Sequence, residues 1–229
     1  MNQVILIIPA FNEEKNIKTV VDNLIRNYPD LDYVVVNDGS TDSTERILRD
    51  GGYNHITLPV NLGLAGCFQT GMKYAWEKGY SCAVQFDGDG QHRAEYVAEM
   101  KAKMDEGYSI VIGSRFVNHK KNYSLRMVGS RLIGLAIWLT TGARVSDPTS
   151  GMRMFDREMI EKFAYRMNYG PEPDTISLLI HQGAKVAEGP GVIDERKGGE
   201  SYLKPGVAVK YMLRMLTSIL VIQNFRGRG

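Results

Sequence analysis

Short apolar runs alternate with segments of helical spacing through the first half of this chain, and that rhythm constrains its fold more than any other feature. Val4–Ile8 is a continuous apolar run halted by Pro9, as expected of a strand buried on both faces. In Glu13–Asn27, residues Ile17, Val20, Val21, Leu24 and Ile25 then recur at helical spacing. Tyr33–Val36 reads as a second strand, turning at Asn37–Ser40 into a helix expected to start at Thr41 or Asp42, with Glu45 behind it as capping partner. His55–Leu58, Cys82–Phe86 and Ser109–Ile112 read as further strands, and Leu64–Trp76 and Arg93–Met104 as further helices. A chain with this alternation is an α/β protein: a mostly parallel sheet with helices on both faces and its ligand crevice at the carboxyl ends of the strands.

Beyond Gly113 the rhythm breaks. The pattern there predicts a basic helix at 126–141, a loop at Asp147–Gly151, helices near Arg157–Arg166 and Glu172–Gln182, and short strands near Lys185–Glu188 and Gly191–Asp194. A last helix is expected at about Gly206–Asn224. With 229 residues and 43% hydrophobic residues, one core of ordinary size is available, and no repeat or linker divides the chain. The reading is one catalytic-size domain over 1–203, followed by a basic amphipathic helix and tail over 204–229. Cys67 and Cys82 form no CxxC pair and sit in apolar segments, so both are expected as inert core thiols in a reducing compartment.

The formal charge of +2 is too small to point to nucleic acid, but it is unevenly placed. Between Gly113 and Val145 stand Arg115, Lys120, Lys121, Arg126, Arg131 and Arg144 with no acid, and from Ser201 onward stand Lys204, Lys210, Arg214, Arg226 and Arg228, again with none. With those eleven set aside, 17 basic residues face 26 acidic ones, a balance of −9. Such asymmetry puts the basic segments against an anionic surface or ligand and the acidic part near a cation. No apolar run reaches the roughly 20 residues of a spanning helix, and the start reads as a strand rather than a signal peptide, so a cytoplasmic protein is expected. Lys210 and Arg214, four apart among Val, Met, Leu and Ile, make Val207–Ile222 a basic amphipathic helix suited to an interface, with Ile219–Ile222 a docking surface; core packing is the alternative.

The turns after the strands carry the chemistry. Neither GxGxxG after the first strand nor GxxxxGK[ST] anywhere is present, and Gly63–Gly66 reads as a helix entry rather than a phosphate cradle. Gln85-Phe-Asp-Gly-Asp-Gly-Gln-His92 places Asp87 and Asp89 two apart; in extended backbone both point to one side, and Gly88 and Gly90 let the chain bend. Two converging carboxylates suit Mg²⁺ or Mn²⁺, which fill their remaining positions with water and substrate phosphates. A simple polar turn is the alternative. Asp38 is placed to accept from a base N–H or to serve as an Asx-turn residue. Phe11 is placed to cover a base and Glu13 to sit at a helix N-terminus, although packing and capping explain both.

Taken together, IIPAFNEE (7–14), VVNDGSTDST (35–44), NLGLAG (61–66), QFDGDGQH (85–92), DPTSGMRMF (147–155) and ERKGGES (195–201) resemble family 2 glycosyltransferases of the GT-A fold. The nearest likeness is to their polyprenyl-phosphate branch, the dolichol-phosphate mannose synthase and undecaprenyl-phosphate glycosyltransferase type. The resemblance implies that Pro9, Phe11, Glu13 and Asp38 hold the nucleotide base and ribose, and that Asp87, Asp89 and Gln91 form the divalent-metal motif on the donor diphosphate. It implies further that Arg126, Ser130 and Arg196 meet the acceptor phosphate, with Arg115 near them, so that Asp89, Arg126 and Arg196 are the catalytic set. Gly90 after Asp89 and Met152 in a position where Phe is frequent depart from the pattern, so the sugar does not transfer.

The implied reaction moves a sugar from a nucleotide-sugar, UDP in preference to GDP, to a polyprenyl phosphate at the cytoplasmic face of a membrane, for cell-envelope glycans. A phosphate monoester is already anionic at neutral pH, so no strong base is required, which accords with a chain holding only four histidines. Many relatives end in membrane spans, and where these are missing a separate small membrane protein is the implied partner. Two other readings stand beside this one: a saccharide hydroxyl as acceptor with Asp147 as base, and a non-catalytic sugar-nucleotide-binding subunit of a membrane complex.

Overall fold

The computed structural model describes residues 3–88, 93–114, 125–191 and 205–223, with the side chains of 125–126 and 205–208 outside that description. The elements run β1 (Val4–Ala10), α1 (Ile17–Asn27), β2 (Asp32–Asn37), α2 (Thr44–Asp50), β3 (His55–Thr57), α3 (Gly63–Glu77), β4 (Cys82–Gln85), α4 (Val97–Asp105), β5 (Ile110–Ser114) and α5 (Leu125–Thr141). They continue with β6 (Arg153–Asp156), α6 (Arg157–Glu161), α7 (Pro173–His181), β7 (Val186–Pro190) and α8 (Pro205–Thr217). Seven strands form one sheet in the order β3-β2-β1-β4-β6-β5-β7, and every adjacent pairing is parallel except the two made by β6. The expected mostly parallel α/β sheet is therefore the one observed.

Alternation along the strands divides the core into two layers. Ile5, Ile7, Val34, Val36, Ala83, Ile112 and Phe155 face α3, α5, α6 and α7. Leu6, Ile8, Val35, Val84, Val111 and Met154 face α1, α2 and α4. At the centre of the first layer, Phe68, Phe155 and Phe163 meet edge to face or tilted, with ring centroids 5.2–5.6 Å apart.

Four sequence expectations need correction. Helix α1 begins at Ile17, because Glu13–Asn16 form a turn whose Glu13 carbonyl accepts from the Asn16 and Ile17 amides at 3.0 and 2.9 Å. Helix α2 begins at Thr44: Thr44 Oγ1 and Asp42 Oδ2 accept from the Glu13 and Glu14 amides after β1, and Glu45 accepts from Asn37 at 2.9 Å and from the Thr57 hydroxyl instead of closing a capping box. The antiparallel strand β6 was not expected, since four residues that include an arginine give no periodicity to read. One strand, Val186–Pro190, replaces the first of the two expected near the end; Gly191 lies in no strand, and 192–194 lie outside the described residues.

The C-terminal helix is core and surface at once. Met215 and Ile219 belong to the first core layer, so Ile219 is not part of a docking surface, whereas Val209, Leu213, Leu220, Val221 and Ile222 are exposed. A π turn at Ser218–Ile222 continues α8, fastened to α7 by the Ser218 hydroxyl bonding Asp174 Oδ2 at 2.8 Å and by Gln223 donating to the Asp174 carbonyl. Among the described residues, no helix is long and apolar enough to cross a membrane.

Candidate active site

The carboxyl ends of β1 and β2 carry two turns that brace each other. The Asp38 amide donates to Ala10 O at 2.8 Å, Asn12 Oδ1 accepts from the Thr41 amide at 2.9 Å, and Thr44 Oγ1 accepts from the Glu13 amide at 2.9 Å. Asn12 takes the left-handed conformation (φ 55°), which Asn tolerates better than most residues, and so turns its side chain into that brace. Asp38 is buried, and its Oδ1 accepts from the Leu62 amide at 2.7 Å. The backbone allows this because a Cβ at Gly39 (φ 65°) would fall 2.7 Å from the Val60 carbonyl carbon. In the described structure Asp38 is thus a loop anchor, with its second oxygen still to be shared. Phe11 is exposed and Glu13 half-buried on the turn that follows half-buried Pro9 of β1, and the Asp38 amide bonds Ala10 O, so the four residues expected at the base and ribose are neighbours.

Asp87 stands just past β4, half-buried, where the Phe86 amide bonds Ile7 O at 2.9 Å. A Cβ on Gly88 would come within 3.0 Å of Pro9 O, so the carboxylate turn lies directly on the first turn. Its hard oxygen donor and this close backbone approach fit a divalent cation bound with a diphosphate. Asp89 and Gln91, the other expected ligands, lie outside the described residues, as do Arg115, Arg196 and the Arg126 side chain. Among the described residues no three His, Cys, Asp or Glu side chains converge on one point.

Below Asp87 lies a polar cluster that sequence reasoning missed in part. Arg153, paired in register with Gln85 of β4 and Ile112 of β5, is 3% exposed; its Nη2 donates to Pro148 O at 2.8 Å, while its Nε has no partner. Burial lowers its pKa from the ordinary value, and Tyr211, Asp147, Asp87 and Glu172 favour the charge. A guanidinium stays protonated in such a setting, so a fixed positive charge sits beneath the carboxylate turn. Ser130, also buried, accepts from Thr149 Oγ1 at 3.1 Å, and that hydroxyl also lies 3.4 Å from Asp147 Oδ1. Glu188 of β7 clamps the loop from the far side, its two oxygens accepting from the Ser146 and Asp147 amides at 3.0 and 2.8 Å. The sequence signal for Arg153 is its place in DPTSGMRMF, one of the segments that carry the resemblance, where no role was assigned to it.

The two acid-free basic segments, more than 50 residues apart in sequence, meet through the helices α5 and α8 that they contribute. They pack so closely that a Cβ on Gly129 would fall 2.0 Å from Met212 Sδ. Beside this contact α5 exposes Val128, Leu132, Leu135, Trp138 and Leu139, and α8 exposes Val209 and Leu213. Arg214, expected to face an anionic surface, is exposed, and it is partnered by Glu172 and lies over the Tyr211 ring at 5.5 Å. Burial pushes the Tyr211 hydroxyl up to about 12. Cys67 is likewise buried, donates to Val36 O at 3.2 Å and is pushed up to about 12, mainly by burial with the Asp38 carboxylate adding to it, as expected of an inert thiol.

Comparison with known proteins places these features in a family. The profile of glycosyl transferase family 2 matches residues 5–164, and the chain belongs to that family: it is a glycosyltransferase. It is 35% identical over 178 residues to the UDP-N-acetylglucosamine--dolichyl-phosphate N-acetylglucosaminyltransferase of Methanococcus voltae, covering 68% of this chain and 70% of that one. It is 30% identical over 210 residues to the polyprenol monophosphomannose synthase of Mycolicibacterium smegmatis, covering 86% and 79%. Among solved structures, glucosyl-3-phosphoglycerate synthase from Mycobacterium tuberculosis superposes with a TM-score of 0.69 at 18% identity over 96% of this chain and 80% of that one, a likeness of fold.

Proposed function

We propose that this chain is an inverting, divalent-metal-dependent glycosyltransferase that moves a sugar from a nucleoside diphosphate, UDP in preference to GDP, to a polyprenyl phosphate at a membrane surface. The observation that carries the reading is that Ser130 of α5, the loop before β6 and the carboxylate turn after β4 meet: Thr149 Oγ1 donates to Ser130, Arg153 Nη2 donates to Pro148 O, and Arg153 pairs in register with Gln85, two residues before Asp87. Relatives named for dolichyl phosphate and polyprenol phosphate support this acceptor class, and a neighbour of the same fold crystallised with Mn²⁺ and UDP-glucose supports the metal.

In this reading Pro9, Phe11, Glu13 and Asp38 hold the nucleoside, while Asp87, with Asp89 and Gln91, would hold the cation. A divalent cation there would supply Lewis-acid stabilisation of the leaving diphosphate, an effect worth several kcal/mol. The acceptor phosphate oxygen attacks the anomeric carbon, the bond from that carbon to the donor diphosphate breaks, and the nucleoside diphosphate leaves with the electron pair; one such displacement inverts the centre. Arg126, Arg196, Arg115 and Ser130 position the acceptor phosphate and offset its repulsion from the donor. Because that oxygen is already ionised, no base is needed. Asp147, the base of the saccharide-acceptor reading, has 0% exposure and an occupied backbone and side chain, which disfavours that alternative.

The exposed apolar faces of α5 and α8, bordered by Lys210 and Arg131, favour peripheral binding to a bilayer over a separate small membrane partner. The test is incubation of the purified protein with labelled UDP- and GDP-sugars, Mg²⁺ or Mn²⁺, and either undecaprenyl phosphate or a panel of oligosaccharides. Label passing into the organic phase with undecaprenyl phosphate is expected. Label appearing only on saccharide, or on nothing, would overturn the reading.

A further inference from the structure

Beside the apolar face of α5 lies a groove of about 330 Å³ lined by Arg131, Gly134, Leu135, Trp138, Arg144, Val145 and Ser146. It shares no residue with the expected acceptor set. Arg131, Leu135 and Trp138 stand four and seven apart on α5 and so share one stripe of the helix. The opposite wall is the 144–146 loop, and this wall is fixed: a Cβ on Gly134 would meet Val145 O at 2.7 Å, and Glu188 holds the Ser146 amide at 3.0 Å. Among the described residues no acid lines the groove, and Arg131, Arg144, Leu135 and Trp138 are all exposed.

We infer that this groove binds the phosphate of an anionic bilayer phospholipid, separately from the acceptor lipid. The inference rests on the peripheral membrane reading above and specifies how the chain is seated there. Charge complementarity selects the occupant, since guanidinium forks match phosphate oxygens two at a time. Position selects a lipid over a free phosphate. Leu135 is both a wall of the groove and part of the exposed row that continues to Leu132 and Leu139, so acyl chains leaving the head group would run onto apolar surface. Trp138 stands where an amphipathic ring marks the depth of the head groups. The groove fixes the rotation of α5 about its own axis at the bilayer, and with it the height of Ser130 and the carboxylate turn.

The probe is dihexanoyl phosphatidylglycerol below its micelle concentration, read by tryptophan fluorescence of the whole protein; Trp76, the second of two tryptophans, is held under Arg157 at 3.7 Å and serves as constant background. A saturable change is expected for wild type, with none for dihexanoyl phosphatidylcholine or inorganic phosphate at equal concentration. Arg131→Gln/Arg144→Gln should weaken it by about tenfold or more, and Arg131→Lys/Arg144→Lys, which keeps the charge and removes the fork, should weaken it measurably. An unchanged affinity in the double Gln variant, a flat wild-type titration, an equal response to free phosphate, or tighter binding of a short polyprenyl phosphate would each overturn the inference. Sedimentation of wild type with anionic vesicles separates the two failures. Sedimentation with a flat lipid titration overturns the groove alone, and no sedimentation overturns the peripheral reading with it.

Discussion

Asp87 and Arg153 show how much a single residue carries. Asp87→Asn should reduce transfer by about 10²–10³-fold, the scale of one lost electrostatic contact in a transition state. Its half-buried position past the strand end leaves the unfolding midpoint within a few degrees of wild type, as expected of a residue outside the core. Rates from initial velocities and a thermal melt of the same preparation check both halves. At Phe155, in the centre of the aromatic cluster, truncation to Ala should instead cost about 3–5 kcal/mol, read as a lower denaturation midpoint in urea. The thiols at Cys67 and Cys82, both raised by burial, should not react with a disulfide reagent at neutral pH until the chain is unfolded. Rapid labelling of native protein would contradict that. Asp87 was legible in the sequence because carboxylate and glycine spacing speaks for itself in a turn. Arg153 was legible only as a member of DPTSGMRMF; its buried role comes from the neighbouring strands Cys82–Gln85 and Ile110–Ser114, which only pairing brings beside it.

At the scale of elements, the parallel strands and their helices were readable from period alone, whereas β6 runs against its neighbours and is too short to show one. The boundaries moved where side chains were used elsewhere: Thr41 bonds Asn12, Asp42 accepts from the Glu14 amide and Glu45 accepts from Asn37 and Thr57, so the helix they were expected to cap starts later. Helix α5 gives a test whose sign is informative. A glycine inside a helix normally gains up to about 1 kcal/mol on replacement by Ala. Gly134→Ala should do the opposite, destabilising by about 1–3 kcal/mol, because its Cβ would meet backbone at Val145. A melting midpoint lowered by roughly 2–4 °C per kcal/mol is the expected reading for a chain of this size. A raised midpoint would show that α5 and the 144–146 loop are not in contact as described.

Across the whole molecule, helices from the two basic stretches, far apart in the chain, meet as α5 and α8, with apolar side chains exposed beside the contact. The sequence carried the charge but not the partnership, which depends on Gly129 admitting Met212 at the helix crossing. Nor did it show the ion pair of Arg214, since its partner Glu172 lies 42 residues away. Binding to anionic vesicles should therefore fall as salt rises, each nearby Lys or Arg adding roughly 1 kcal/mol and screening acting over a Debye length of about 8 Å. Leu132→Glu with Leu139→Glu should abolish vesicle sedimentation and leave nucleotide binding unchanged, since neither residue lies on the strand-end turns.

The central claim is that an ionised lipid phosphate displaces a nucleoside diphosphate in one step. It is tested most directly by the anomeric configuration of the lipid product, read by NMR after reaction of an α-linked nucleotide-sugar with polyprenyl phosphate. A β-linked sugar joined to the lipid through phosphate is the result this account predicts, and an α-linked product, or free sugar with the lipid unmodified, would contradict it.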